Sequence, residues 1–340
     1  MKSRLTWPLI MLGSLLAINL FVNPSFFQIE MKDGHLFGSL IDILNRSAPL
    51  ILVSIGMTLV IATKGIDLSV GSIMAMSGAI ACLYLSGGNY PEGSWLPVIY
   101  AVGIALALSA VAGLWNGLLV AGIGMQPIVA TLILMVAGRG IAQLIASGQV
   151  ITINYQPYKY IGTGYLLTLP FSIFIVAFVF LITVYLIRRT PIGLFIESIG
   201  SNPVASRLAG IHAAAIIFIV YIFCGFCGGI AGLIMSSNVS SADGNNAGLW
   251  FELDAILAVV IGGTSLSGGR FYLLGTLVGA LIIQTLTTTI YSIGVPPEII
   301  LVVKAIVVLI VCLLQSEEFR KKFSKKRFSK KTFSKKGVSV

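Results

Sequence analysis

Ala213-Ala-Ala-Ile-Ile-Phe-Ile-Val-Tyr-Ile-Phe-Cys-Gly-Phe-Cys-Gly-Gly-Ile-Ala-Gly-Leu-Ile-Met235 runs without a single charged residue. About 20 apolar residues in helical form cross the hydrocarbon core of a bilayer, and a helix pairs its own backbone groups where no water can reach them. This stretch therefore reads as a transmembrane helix. Hydropathy places further spans near residues 5 to 23, 47 to 63, 68 to 86, 95 to 122, 127 to 147, 168 to 187, 252 to 268, 271 to 290 and 298 to 315. Of the 340 residues, 57% are hydrophobic and 10% charged, against roughly 25% charged in soluble domains. The fold class that follows is an all-α integral membrane protein, a polytopic bundle of about ten transmembrane helices. Its membrane domain takes in residues 1 to 316, with a basic tail at 317 to 340.

Lys2 and Arg4 precede the apolar run from Leu5 to Val22, which resembles a signal peptide. No small-x-small cleavage site follows, so the run is read as an uncleaved first span. The formal charge of +10 belongs to the end of the chain, because ten of the 22 basic residues lie between Arg320 and Lys336. There Lys322-Phe-Ser-Lys-Lys326, Arg327-Phe-Ser-Lys-Lys331 and Thr332-Phe-Ser-Lys-Lys336 repeat in tandem. Such a low-complexity tail suits a solvated extension beside anionic lipid, not a nucleic-acid site. With Lys2 and Arg4 in the cytoplasm, an even number of crossings puts Lys64, Arg188, Arg189, Arg207, Arg270 and the tail on that side. Lys32, Arg46 and Lys159 fall outside, so the positive-inside rule predicts cytoplasmic N- and C-termini.

Cys82, Cys224, Cys227 and Cys312 sit inside apolar segments and read as small packing residues. Cys224-Gly-Phe-Cys227 has redox-motif spacing, yet it lacks the soluble βαβ surroundings such a motif needs. Small residues recur four apart, as in Gly113 and Gly117, Gly225 and Gly229, Gly275 and Gly279, a spacing that lets helix backbones approach closely. Two segments interrupt the apolar pattern, Gly65-Ile-Asp-Leu-Ser-Val-Gly71 and Gly262-Gly-Thr-Ser-Leu-Ser-Gly-Gly269. Paired Gly-interrupted segments point towards a substrate pathway in transporters.

No lysine follows a glycine, so a Gly-x-x-x-x-Gly-Lys phosphate loop is ruled out and any ATP that drives this chain is bound by a partner. Neither a catalytic cluster nor a metal site is expected, since His35 and His212 fall in loops on opposite sides of the membrane. Asn202 can cap a short cytoplasmic helix from Pro203 to Ala209, with proline at its first position, Gly210 at its exit and Arg207 presented outward. Such a helix can pass rigid-body motion from a docked partner, although an ordinary interfacial turn would carry the same signals.

Arg139 lies near mid-membrane in the fifth span, with Thr131 and Gln143 on the same helical stripe. These groups suit a polar, uncharged solute; alternatively the arginine is structural, satisfied by carbonyls or by Asp67. Asp67 opens the third span and reads either as its cap or as a pathway residue. Asn116, Gln284 and Thr288 add neutral hydrogen-bonding groups at membrane depth, as interhelical glue or as pathway. Glu252 and Asp254, in the first turn of the eighth span, favour the helix dipole. The set holds no file of carboxylates suited to ions, so a neutral polyol fits better.

The segments Gly65–Gly71, Ala130-Thr-Leu-Ile-Leu-Met-Val-Ala-Gly-Arg-Gly140 and Val259-Val-Ile-Gly-Gly-Thr-Ser-Leu-Ser-Gly-Gly269 resemble signature stretches of the permease subunits of ribose- and galactofuranose-type ABC sugar importers. Ala242-Asp-Gly-Asn-Asn-Ala-Gly-Leu-Trp250 resembles the galactofuranose branch. The resemblance implies a bacterial plasma-membrane complex: a solute-binding protein outside, two ATP-binding domains that hold ATP and magnesium inside, and two permease chains, identical or not. It makes residues 197 to 210, with Glu197, Gly200, Asn202, Pro203, Arg207 and Gly210, the ATPase-coupling loop. Asn245, Asn246 and Trp250 become candidates for binding-protein docking. A ribose or other monosaccharide permease is the nearest alternative, and an ion-coupled secondary carrier a more distant one.

Overall fold

The computed structural model describes residues 2 to 309, apart from 23, 33, 295, 297, 298, 300, 307 and 308. Cys312, the basic tail and most of the expected span at 298 to 315 lie outside the described residues. By contacts the chain divides at Thr288, and the helices that carry the argument lie in the first unit, up to that residue. In the second, α12 runs out at Ser292 and short helical turns follow at residues 301 to 306.

The helices are α1 (Lys2–Val22), α2 (Ser39–Ala62), α3 (Val70–Ser86), α4 (Leu96–Gly117), α5 (Pro127–Ile145) and α6 (Gln156–Thr163). They continue with α7 (Phe171–Arg189), α8 (Ile192–Ser201), α9 (Pro203–Leu208), α10 (Ala213–Val239), α11 (Phe251–Ile261) and α12 (Leu273–Ser292). Among the described residues six helices are long and apolar enough to cross a membrane: α2, α4 with the π-turn that extends it to Gly122, α5, α7, α10 and α12. Val70–Ser86 and Leu5–Phe21 are shorter apolar helices. Two-stranded pairings decorate the connections, and that of Ile151–Thr152 with Ser241–Ala242 ties the exit of α5 to the exit of α10.

The eighth expected span is not a full helix. α11 has 11 residues, about 16 Å of rise, which is half a bilayer. Beyond Ile261 the chain turns through Gly262-Gly263 and Gly268-Gly269, where Gly263, Gly268 and Gly269 hold positive φ that a side chain resists. The second span begins earlier than expected, at Ser39, because Asp42, Asn45 and Arg46 lower the hydropathy without breaking the helix.

α10 packs most extensively against α4, α2 and α3. Glycine lets those backbones meet. A methyl group added at Gly232 would collide with the Met74 carbonyl, and one at Gly225 would stand 2.5 Å from the Ser109 carbonyl oxygen and 3.0 Å from the Gly113 Cα. Gly56 of α2 backs onto Cys224, whose Cα would lie 2.8 Å from an added Cβ. Cys82, Cys224 and Cys227 are buried and free, as packing residues should be. Away from this centre apolar side chains face outward: Val111, Val136 and Phe178 are 61%, 66% and 66% exposed. Faces of that kind demand lipid or another protein.

Replacing Gly225 by leucine should destabilise the detergent-solubilised chain by about 1–3 kcal/mol or more, as overpacking does. Replacing Gly103, which has nothing within 4 Å of its added Cβ, should shift stability by less than about 0.5 kcal/mol. Thermal unfolding of the two variants side by side checks the contrast.

Candidate functional site

The Gly65–Gly71 segment turns between α2 and α3, deep in the bundle. α2 ends with Lys64 in the left-handed region, and the Gly65 amide donates back to the Val60 carbonyl at 3.0 Å, a Schellman-like closure. Asp67 is fully buried. Its Oδ1 accepts from the Ser69 amide at 2.9 Å, from the Ser69 hydroxyl at 2.6 Å and from Asn116 Nδ2 at 3.3 Å. Asn116 also donates to Ser69 Oγ at 2.8 Å.

Asp67 is thus not the cap of α3. The chain spends Leu68 and Ser69 in a further turn, so the N-cap is Ser69, without a side-chain bond of its own. Asp67 instead closes an Asx-type turn over the Ser69 amide. Thr131 braces the same segment from α5: its Oγ1 accepts from the Leu68 amide at 3.2 Å and donates within reach of the Ile66 carbonyl at 3.2 Å and the Pro127 carbonyl at 3.0 Å. Asp67, Asn116 and Thr131 therefore meet at one junction. Three buried atoms around them, Asp67 Oδ2, Asn116 Oδ1 and Tyr221 Oη, have no hydrogen-bond partner among the described residues. Ser69 and Tyr221 were not among the sequence candidates: Tyr221 comes from a segment too far away to leave a local pattern, whereas the Asp67-x-Ser69 spacing of an Asx-type turn was the local signal for Ser69.

Arg139 and Gln143 belong to a second cluster. Half-buried Arg139 donates to the Ala247 carbonyl at 2.6 Å and, more weakly, to the Gly244 carbonyl at 3.4 Å. The carbonyl partners expected for a structural arginine are these. Gln143 lies beside Gly244, whose added Cβ would stand 3.0 Å from the Gln143 Cα. Asp243 shapes the same loop: its Oδ1 accepts from the amides of Asn245 at 2.8 Å and Asn246 at 3.2 Å, and its Oδ2 from Asn246 Nδ2 at 2.7 Å. Partial burial pushes the Asp243 carboxyl up, but these hydrogen bonds and the charge of Arg139 outweigh it and hold the group below its ordinary value. Asn245, Asn246 and Trp250 are exposed on this loop. Behind it, buried Glu252 and the Gly248 carbonyl press against Gly71, which has no room for a side chain. Gln284 and Thr288 stay half-buried on α12 and join neither cluster by a hydrogen bond among the described residues.

A third assembly gathers at the same end of α2, around Ala62 and Lys64. Asn202 Oδ1 accepts from the amides of Val204 and Ala205, both at 3.1 Å, and caps α9 with Pro203 in its first turn. The helix closes through Gly210, at φ +82°, with the Ile211 amide donating to the Ser206 carbonyl at 3.0 Å. Arg207 is exposed, as are Val204 and Leu208, at 69% and 86%. Just before α9, Gly200 abuts the Ala62 carbonyl and the Gly269 amide with no space for a methyl group. The Gly269 amide donates to Ala62 O at 2.9 Å and Lys64 Nζ to Ser201 O at 3.3 Å. α8, the end of α2 and the Gly262–Gly269 loop are thereby joined main chain to main chain. Glu197 lies one turn before Gly200 on α8.

Among the described residues no group of histidine, cysteine and carboxylate side chains has metal-binding geometry. The arrangement offers hydrogen bonds and a relay of packed backbones.

Residues 39–312 match the family described as the permease component of branched-chain amino acid transport systems. The chain is 50% identical to the galactofuranose transporter permease protein of Escherichia coli K12, over 94% of this chain and 93% of that one. It is 40% identical to the fructose import permease protein of Bifidobacterium longum (93% and 88% covered) and 37% identical to a ribose import permease protein of Haemophilus influenzae (91% and 92%). No solved structure matches significantly.

Asp67→Ala would leave the Ser69 amide and hydroxyl without their acceptor, and a stability loss of about 1–3 kcal/mol is expected. Asp67→Asn keeps one oxygen and should cost less; thermal unfolding of both variants tests the pair. Arg139→Gln should free the 243–250 loop, read as faster amide hydrogen exchange there with α10 unaffected.

Proposed function

The chain belongs to the permease-component family of membrane transport systems, and we propose that it is the translocating subunit of an ATP-driven sugar importer whose substrate is galactofuranose. The observation that carries the substrate is the 50% identity, over nearly the whole of both chains, to a galactofuranose permease. The fructose and ribose permeases among its relatives favour a sugar over the amino acids in the family's description.

In this reading the chain is a multi-pass protein of the bacterial plasma membrane, with about ten membrane segments and both termini cytoplasmic. Residues 1 to 316 form the permease domain and 317 to 340 a basic tail against anionic lipid. The chain itself binds no cofactor; ATP and magnesium are held by an ATP-binding cassette subunit. α9 is the surface on which that subunit docks, supported by its double cap and by two apolar side chains standing in the open. Motion received there passes through Gly200 to α2 and to the Gly262–Gly269 loop. Glu197, Asn202, Pro203, Arg207 and Gly210 shape this coupling loop.

A loaded extracytoplasmic binding protein docks on the opposite face, at Asn245, Asn246 and Trp250, on the loop that Arg139 holds. The sugar then moves between two permease chains, with Asp67, Asn116, Thr131, Arg139, Gln143, Gln284 and Thr288 as the pathway's polar groups. Neutral hydrogen bonding of this kind suits hydroxyls, which need directional donors and acceptors and no counter-charge.

Uptake of labelled galactofuranose should require both this gene and cellular ATP. Ribose or leucine uptake in its place would move the substrate, and uptake that survives ATP depletion would overturn the importer. Leu208→Glu should lower copurification of the ATPase subunit roughly tenfold, as loss of an anchoring side chain does, with permease levels unchanged.

A further inference from the structure

A cavity of about 790 Å³ opens between the first turns of α1, the last turns of α7 and the start of α12. Leu5, Leu9, Val184 and Ile187 make its walls apolar, while Arg188, Arg270 and Glu197 carry charge on its lining. Each of these helices is read as a membrane span and each meets the cavity at its end, so the cavity sits at a membrane boundary, the one that carries the basic loops. Both arginines are exposed and, among the described residues, form no hydrogen bond or ion pair. A guanidinium keeps its charge at any physiological pH and matches phosphate oxygens in pairs. An unpaired one at a membrane boundary is placed to meet the phosphate layer.

We infer that this cavity binds an anionic phospholipid, of the phosphatidylglycerol type, with its phosphate on Arg188 and Arg270 and an acyl chain along the apolar wall. The charges decide between lipids. Two arginines and one glutamate leave one positive charge in excess, which a headgroup of net charge −1 neutralises and a zwitterion does not. Glu197 can accept from headgroup hydroxyls, a contact that a choline headgroup cannot make. Glu197 also belongs to α8, one turn before the Gly200 junction, so the lipid touches the element that joins α9 to α2.

The test is native mass spectrometry of the detergent-solubilised full chain with equal amounts of phosphatidylglycerol, phosphatidylethanolamine and phosphatidylcholine. Phosphatidylglycerol adducts should exceed those of either zwitterionic lipid roughly tenfold, in keeping with two arginines at a membrane surface. Arg188→Gln with Arg270→Gln should bring the ratio close to one, while Arg189→Gln, which removes the same kind of charge outside the cavity, should leave it unchanged. Leu9→Trp narrows the apolar wall without altering charge and should also lower retention, which gives a second readout beside the arginine variants. Equal binding of the three lipids to the unaltered chain would overturn it, and so would a loss in Arg189→Gln as large as in the double variant.

Discussion

Main-chain contact between helices is the constraint on which this structure rests. Inside a bilayer there is little hydrophobic gain from bringing two apolar helices together, because lipid tails are as apolar as leucine. What remains is close packing, and α10 obtains it by presenting glycine to α3 and α4 while α2 presents Gly56 to α10. Once α10 is fixed against its three neighbours, the ends of α2 and α3 are fixed too, and the Gly65–Gly71 turn between them has its position and its depth.

That turn shows what irregular backbone requires in the absence of water. Each amide or carbonyl released from a helix must find a partner nearby. Asp67 serves the Ser69 amide and Thr131 the Leu68 amide, and in the separate 243–250 loop Arg139 serves the carbonyls of Gly244 and Ala247. The polar side chains that stand out in the sequence as costly at membrane depth are the ones that make non-helical chain affordable there. A group holding a turn open inside a transporter is also a group that a passing hydroxyl can meet, so the two roles are compatible in one residue.

Hydropathy made the long helices legible, since each is written in consecutive residues, and the Asn202-Pro203 to Gly210 signals made α9 legible because a cap is local. Where the reading failed, the cause was also local. The stretch from Glu252 to Gly268 is apolar enough to span, but its glycines take a backbone conformation that hydropathy does not register, and the helix stops at Ile261. Asp67 looked like a cap because it precedes an apolar run; two extra turn residues displace the helix start beyond its reach. The partners of Arg139 lie more than a hundred positions away in the sequence, and nothing near Arg139 announces them. The likeness of three short segments to sugar permeases carried further than any of these residue-level signals, because it drew on the order of motifs along the chain.

The junction of Gly200 with Ala62 and Gly269 has a consequence for how such a protein can diverge. Contacts between main-chain atoms are indifferent to the identity of most side chains, so a lineage can exchange residues elsewhere without loosening this joint. The reverse freedom is missing: at Gly200 even one added carbon has no place to go. Side chains elsewhere are therefore open to gradual change while this joint is preserved or lost as a whole, which gives a physical reason for one packing frame to serve proteins whose other residues differ.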